Sequence, residues 1–91
     1  MGMRRNSASR HMRSIAELLL RFRRLDMYDV AARLGISPSY AYHLMRMFAA
    51  NPLVIRDFER RGLRVIFDGG RLRAESLKSL MEAFEEVGGE G

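Results

Sequence analysis

The feature that most restricts this chain is a pair of helices joined by only a few residues, written between Asp26 and Phe48. Asp26 stands three residues before Asp29, an N-cap with a first-turn acid in the manner of a capping box. A short helix is expected from Met27 to Leu34. Gly35 then supplies the left-handed conformation that ends a helix, and Ile36 the apolar residue that closes the corner. Ser37 and Pro38 restart the chain: the serine hydroxyl caps, and proline at the first helical position has no N–H to lose. This next helix is expected to run to about Ala50, where Asn51-Pro52 stops it. Two helices crossing over so short a turn need a small side chain at closest approach, which Ala31 provides, with Leu34, Ile36 and Leu44 around it. Ala41, Leu44, Met45 and Phe48 form the inward stripe of the second helix. Ser39, Tyr42, His43 and Arg46 are left on its outward face.

The flanks of this pair suggest the rest of the fold. Met1 to Ala8 is polar, basic and without periodicity, and reads as a mobile arm. From Ser9 onward Met12, Ile15, Ala16, Leu19 and Phe22 recur at helical spacing. Leu18 and Leu20 widen that stripe beyond the needs of one small core, pointing to a second packed surface such as a subunit contact. Leu53 to Phe58 and Leu63 to Phe67 read as strands joined by Glu59-Arg60-Arg61-Gly62, with Leu63, Val65 and Phe67 on one face. After a turn at Asp68-Gly69-Gly70, Leu77, Leu80, Met81, Phe84 and Val87 mark a last helix ended by Gly88-Gly89. The expected fold is mainly α with a small β-hairpin, in the order α-α-α-β-β-α. Residues 1–8 form the arm, 9–70 the domain and 71–91 the terminal helix. Ninety-one residues, 47% hydrophobic and 30% charged, suit one globular domain and not a disordered chain.

Charge is distributed unevenly. Fifteen of the 16 basic residues are arginine, and all 15 fall at or before Arg73, against six acids over the same stretch. From Ala74 onward Lys78 faces five acids, so a segment of net +9 is followed by one of net −4. A GC-rich genome or a hot habitat accounts for arginine over lysine but not for this segregation. A clustered positive field is the electrostatic footprint of phosphate binding, and arginine is the side chain suited to phosphate forks and guanine edges.

The stretch Leu25-Asp26-Met27-Tyr28-Asp29-Val30-Ala31-Ala32-Arg33-Leu34-Gly35-Ile36-Ser37 resembles the hydrophobic code of helix-turn-helix proteins. The expected hairpin makes the resemblance one to the winged members, over about Ser9 to Phe67; Ala41 departs from the branched residue common at its place. The resemblance implies that the second helix of the motif enters the major groove of double-stranded DNA while the hairpin tip touches backbone or minor groove. Arg46 would take guanine, Ser37 and Ser39 would lie at the phosphate near the helix N-terminus, and Tyr42 would stack on a sugar or a thymine methyl. His43 would donate or accept at a base edge. Tyr40, and to a lesser degree Tyr42, have a plain alternative as caps on the core edge. Arg60 and Arg61 at the expected hairpin tip suit a phosphate or a narrow minor groove, unless they pair with Asp57 or Glu59. Arg4, Arg5, Arg10 and Arg13 are either a backbone-tracking arm or a plain basic tail. The last helix, with Glu75, Glu82, Glu85 and Glu86 on its polar face, repels DNA; by the same resemblance it is a candidate for a homodimer contact, and the equal alternative is that it packs back onto its own domain.

Other classes find less support. No phosphate loop, no nucleophile beside a base and no carboxylate cluster with a histidine suggests an enzyme. Asp57 and Glu59 on one strand face would be a weak magnesium pair. Two histidines without cysteine make a poor zinc set, so no metal and no cofactor is expected. Ile15 to Leu20 is too short and too interrupted for an export signal, and Asn6 breaks the lipidation pattern after Gly2. A cytoplasmic location is the expectation. The functional readings that remain are a transcription regulator, a low-specificity architectural DNA binder, and a winged helix used as a protein interaction module.

Overall fold

The computed structural model describes residues 3–78 and 81–82, with side chains from Ser9 onward. Among them the elements run α1 Met3–Phe22, β1 Arg24–Asp26, α2 Met27–Leu34, α3 Pro38–Ala50, α4 Pro52–Arg60, β2 Leu63–Asp68 and β3 Arg71–Ser76. This is a mainly helical domain with a small antiparallel sheet in the order β1-β3-β2.

The central helix pair forms where local chemistry dictates. The Asp26 carboxylate accepts the Tyr28 N–H at 2.8 Å, opening α2. Asp29 does not reach back to the cap; it pairs with Arg33 one turn on, at 3.1 Å. Gly35 ends α2 at φ 68°, and the Ile36 N–H closes the corner on the Ala31 carbonyl at 3.0 Å. The Ser37 hydroxyl accepts the Tyr40 N–H at 3.1 Å and Pro38 opens α3. Ala41, Leu44, Met45 and Phe48 are all buried, as their spacing requires.

Beyond α3 the expected strand from Leu53 to Phe58 is replaced by α4. Asn51-Pro52 both stops α3 and restarts the chain, as Ser37-Pro38 does: the Asn51 side-chain oxygen accepts the Leu53 N–H at 2.9 Å. Val54 and Phe58, four residues apart, turn inward, and the Phe58 ring meets Phe48 edge-on with centroids 5.8 Å apart. Cap and packing outweigh the β preference of Val54 and Ile55.

The hairpin therefore lies one segment later than expected, between β2 and β3. Gly69 and Gly70 have φ of 57° and 79°, the pair of positive values that a two-residue primed turn requires. The register runs from Leu63 opposite Ser76 to Asp68 opposite Arg71. In β3, Leu72 and Ala74 face the core while Arg71, Arg73 and Glu75 alternate with them. Glu75 thus belongs to a strand, where it pairs with Arg73 at 3.0 Å, and not to an acidic helix face. Residues 71–76 supply the middle strand of the domain, so among the described residues the order up to Ser76 is α-β-α-α-α-β-β, where α-α-α-β-β before a last helix was expected. Leu77, Lys78, Met81 and Glu82 are helical. The remainder of the expected last helix, including Leu80, Phe84, Glu85, Glu86 and Val87, lies outside the described residues.

β1 was not expected, because three residues carry no readable period; Leu25 pairs with Leu72 and is buried. The turn into β1 is made by Arg23 at φ 68°, unusual for a residue with a Cβ and costing about 1–2 kcal/mol. Three bonds hold it: its N–H to Leu19 O at 2.8 Å, its Nε to Leu20 O at 3.2 Å, and its carbonyl from Ala74 N at 2.9 Å. At the other end α1 starts at Met3, so most of the expected mobile arm is helical. No proline or glycine separates Met3 from Leu34, and polarity removes a core stripe without removing the i to i−4 bonds.

One core of Ile15, Leu19, Leu25, Val30, Leu44, Met45, Phe48, Phe58, Leu63 and Leu72, with Ala31, Ala41 and Ala74, joins all elements, and among the described residues no polar or charged side chain is buried in it. Leu18 and Leu20, offered above for a subunit contact, are half-buried and pack on this same core. Among the described residues no helix is long and apolar enough to cross a membrane.

Candidate nucleic-acid interface

Four inward residues lock α3 against α1, α2 and β2, and this fixes where its outward face points. Ser39, Tyr42, His43 and Arg46 all stand exposed on that face. Met47 joins them, 49% exposed. His43 and Arg46 have no hydrogen bond or ion pair to another side chain among the described residues, so both are free for a ligand. Ser39 follows Pro38 in the first turn of α3. Ser37 has a structural duty already, its hydroxyl being occupied by the Tyr40 N–H.

The two tyrosines divide. Tyr40 meets the His11 ring edge-on, centroids 6.2 Å apart, and so ties the beginning of α3 to α1. Tyr42 meets Phe67 of β2 at 5.2 Å in the same manner. Its ring also borders the hairpin turn, within 3.7 Å of where a Cβ on Gly70 would stand. The Gly70 carbonyl in turn accepts the Met27 N–H at 2.9 Å. Tyr42 therefore marks a seam at which α3, the start of α2 and the hairpin turn converge.

Arg60 and Arg61 are not at that seam. They close α4 just before β2, at the end of the hairpin opposite its turn, about 20 Å away along a six-residue strand. Arg61 is engaged by Asp57 at 3.4 Å, the pairing weighed against a wing contact above. The turn instead presents Arg71, whose side chain is 77% exposed and only loosely faced by Asp26 at 3.8 Å. Tyr28, at the start of α2, is 64% exposed. Neither residue was singled out from the sequence. Gly69-Gly70 between two alternating segments was a stronger hairpin mark than Glu59 to Gly62, and reading it so would have pointed to Arg71.

The surrounding field is positive. Arg33, Arg61, Arg71 and Arg73 have carboxylate partners, all at the surface. Arg10, Arg13, Arg46, Arg56, Arg60 and Arg64 are exposed and have no ion pair among the described residues. An open groove of about 690 Å³ along β1 mixes Arg24, Arg71 and Arg73 with Asp26, Asp29 and Asp68, so its charges compensate. Among the described residues no group of three His, Cys, Asp and Glu is placed to hold a metal ion. No protein-family model, curated protein or solved structure matches this chain.

Proposed function

We propose that this chain is a double-stranded DNA-binding protein of the winged helix-turn-helix type, acting as a transcription regulator in the cytoplasm. The observation that carries the reading is the outward face of α3. Ser39, His43 and Arg46 are exposed and have no part in the core, and Tyr42 on the same face borders the hairpin turn that precedes Arg71. In this reading α3 lies in the major groove, Arg46 takes a guanine edge bidentately, and Ser39 and the first turn of α3 meet a phosphate. The wing is β2–β3, but its two-residue turn is folded against Met27 and Tyr42, so it brings Arg71 to the backbone at short reach. α4 is an addition between the motif and the wing.

The low-specificity architectural reading is favoured by a different observation: apart from Arg46, the unpaired arginines stand off α3. Titration of unrelated 20-base-pair duplexes at two salt concentrations separates the readings. Absence of duplex affinity removes both; equal affinity for all sequences with a steep salt slope selects the architectural one. Arg46→Ala is expected to cost about 1–3 kcal/mol and relax preference at one base pair, whereas a uniform loss would place Arg46 on phosphate alone. We also propose a homodimer formed through the apolar stripe of the C-terminal segment. It predicts twice the 10.5 kDa chain mass in light scattering, falling to one chain for Leu80→Glu.

A further inference from the structure

The beginning of α1 is a cationic feature to which the reading above assigns no contact. From Met3 to Ala16 the helix carries Arg4, Arg5, Arg10, His11 and Arg13 and no acid; the first carboxylate is Glu17. The first described α1 side chain packed on the core is Met12. Along the helix axis Met3 lies nine residues, roughly 13 Å, before Met12. Arg10 and Arg13 are exposed and without an ion pair among the described residues. Cations crowded on the opening turns of a helix repel one another and oppose the positive end of its dipole. Local rules thus disfavour this segment on its own, and an anion would relieve it.

Its position supplies the partner. The His11 ring against Tyr40 fixes this basic stretch beside the first turn of α3, three residues after the Ser37 cap. We propose that the N-terminal turns of α1 form a second contact surface for the sugar-phosphate backbone of duplex DNA, flanking the groove that α3 occupies, with Arg10 and Arg13 each on one phosphate. This rests on the duplex reading of α3 and extends the footprint beyond motif and wing. An anionic lipid surface fits less well, because Met3 to Arg13 offers Met3 and Met12 but no aromatic or leucine face to enter an interface.

The test compares the full chain with Arg10→Gln/Arg13→Gln by fluorescence anisotropy on labelled 30-base-pair duplexes between about 50 and 200 mM salt. Two lost phosphate contacts lower the slope of log K against log salt by about 1.8 and the affinity at 0.15 M salt by about 30-fold, at 0.9 counterions per contact. The ranking of duplex sequences stays unchanged, because phosphate contacts carry no base information. Arg10→Lys/Arg13→Lys keeps the slope, and far-UV circular dichroism reports that both variants are as helical as the parent. A duplex-binding parent whose slope the glutamine variant shares overturns the α1 contact and leaves the α3 reading standing. A parent with no duplex affinity overturns the α3 reading itself. Binding of the parent to phosphatidylserine vesicles, lost in the glutamine variant while duplex binding is kept, also overturns the α1 contact.

Discussion

Gly70→Ala perturbs the point where the hairpin turn, α2 and α3 meet, and its cost can be worked from the structure. At φ +79° any L residue carries the left-handed penalty, about 1–2 kcal/mol, offset by roughly 0.4–1 kcal/mol from a stiffer unfolded chain. The new Cβ would also stand 3.0 Å from Met27 Sδ and 3.5 Å from its Cγ. Met27 is half-buried and flexible, so it can give way, at about the low end of the 1–3 kcal/mol typical of overpacking. The expected total is about 2 kcal/mol, a fall in Tm of roughly 8–16 °C for a domain of this size. Gly69 is the internal control: it shares the left-handed backbone, φ +57°, but its Cβ would meet nothing within 4 Å. Gly69→Ala should therefore cost about 0.5–1 kcal/mol, and Gly69→Asn close to zero, because asparagine tolerates this conformation in primed turns. Urea unfolding of the three variants, with the Met27→Ala/Gly70→Ala cycle, measures the packing part alone, expected as a coupling of about 1 kcal/mol. Equal costs for Gly69→Ala and Gly70→Ala, or no coupling to Met27, would refute the placement of the turn against α2.

Two further expectations concern the parts of the fold that the hairpin displaced. Asn51→Ala removes the cap that opens α4 and should destabilise the domain by about 1 kcal/mol in urea unfolding, whereas a strand at Leu53 to Phe58 would leave it near neutral. Arg61→Ala breaks only an exposed pair, and should move stability by less than about 0.5 kcal/mol. It should leave duplex affinity within experimental error, while Arg71→Ala should lower that affinity about fivefold at 0.15 M salt if it holds one phosphate. The reverse order of effects would return the wing to Glu59 to Gly62.

Much of the candidate site was legible because it depends on local chemistry. The α2–turn–α3 boundaries follow from caps and stops written in neighbouring residues, Asp26, Gly35, Ser37 and Asn51, and the two faces of α3 follow from helical spacing. The same grammar was misread once. Asn51-Pro52 reads as a stop, although it is built like the Ser37-Pro38 start, and the branched residues after it then suggested a strand. That single displacement moved the hairpin by one segment and carried Arg60 and Arg61 to a tip they do not occupy.

What the sequence by itself determined is therefore the central helix pair, the burial of Ala41, Leu44, Met45 and Phe48, the outward exposure of Ser39, Tyr42, His43 and Arg46, and the positive charge around them. Those properties arise from interactions within a few residues or from composition, so no distant partner is needed to read them. Only the tertiary structure decided that β1 and β3 exist and what stands next to α3; β2 was readable at Leu63 to Phe67. β1 is three residues long and forms because Leu25 finds Leu72. β3 is the middle strand because it has a partner on either side. The turn at Gly69-Gly70, and Arg71 with it, reaches the seam at Tyr42 because β2 packs on α3 through Phe67. Pairings between residues 25 or more positions apart leave no period in the chain; they are settled by which apolar faces find one another when the core closes.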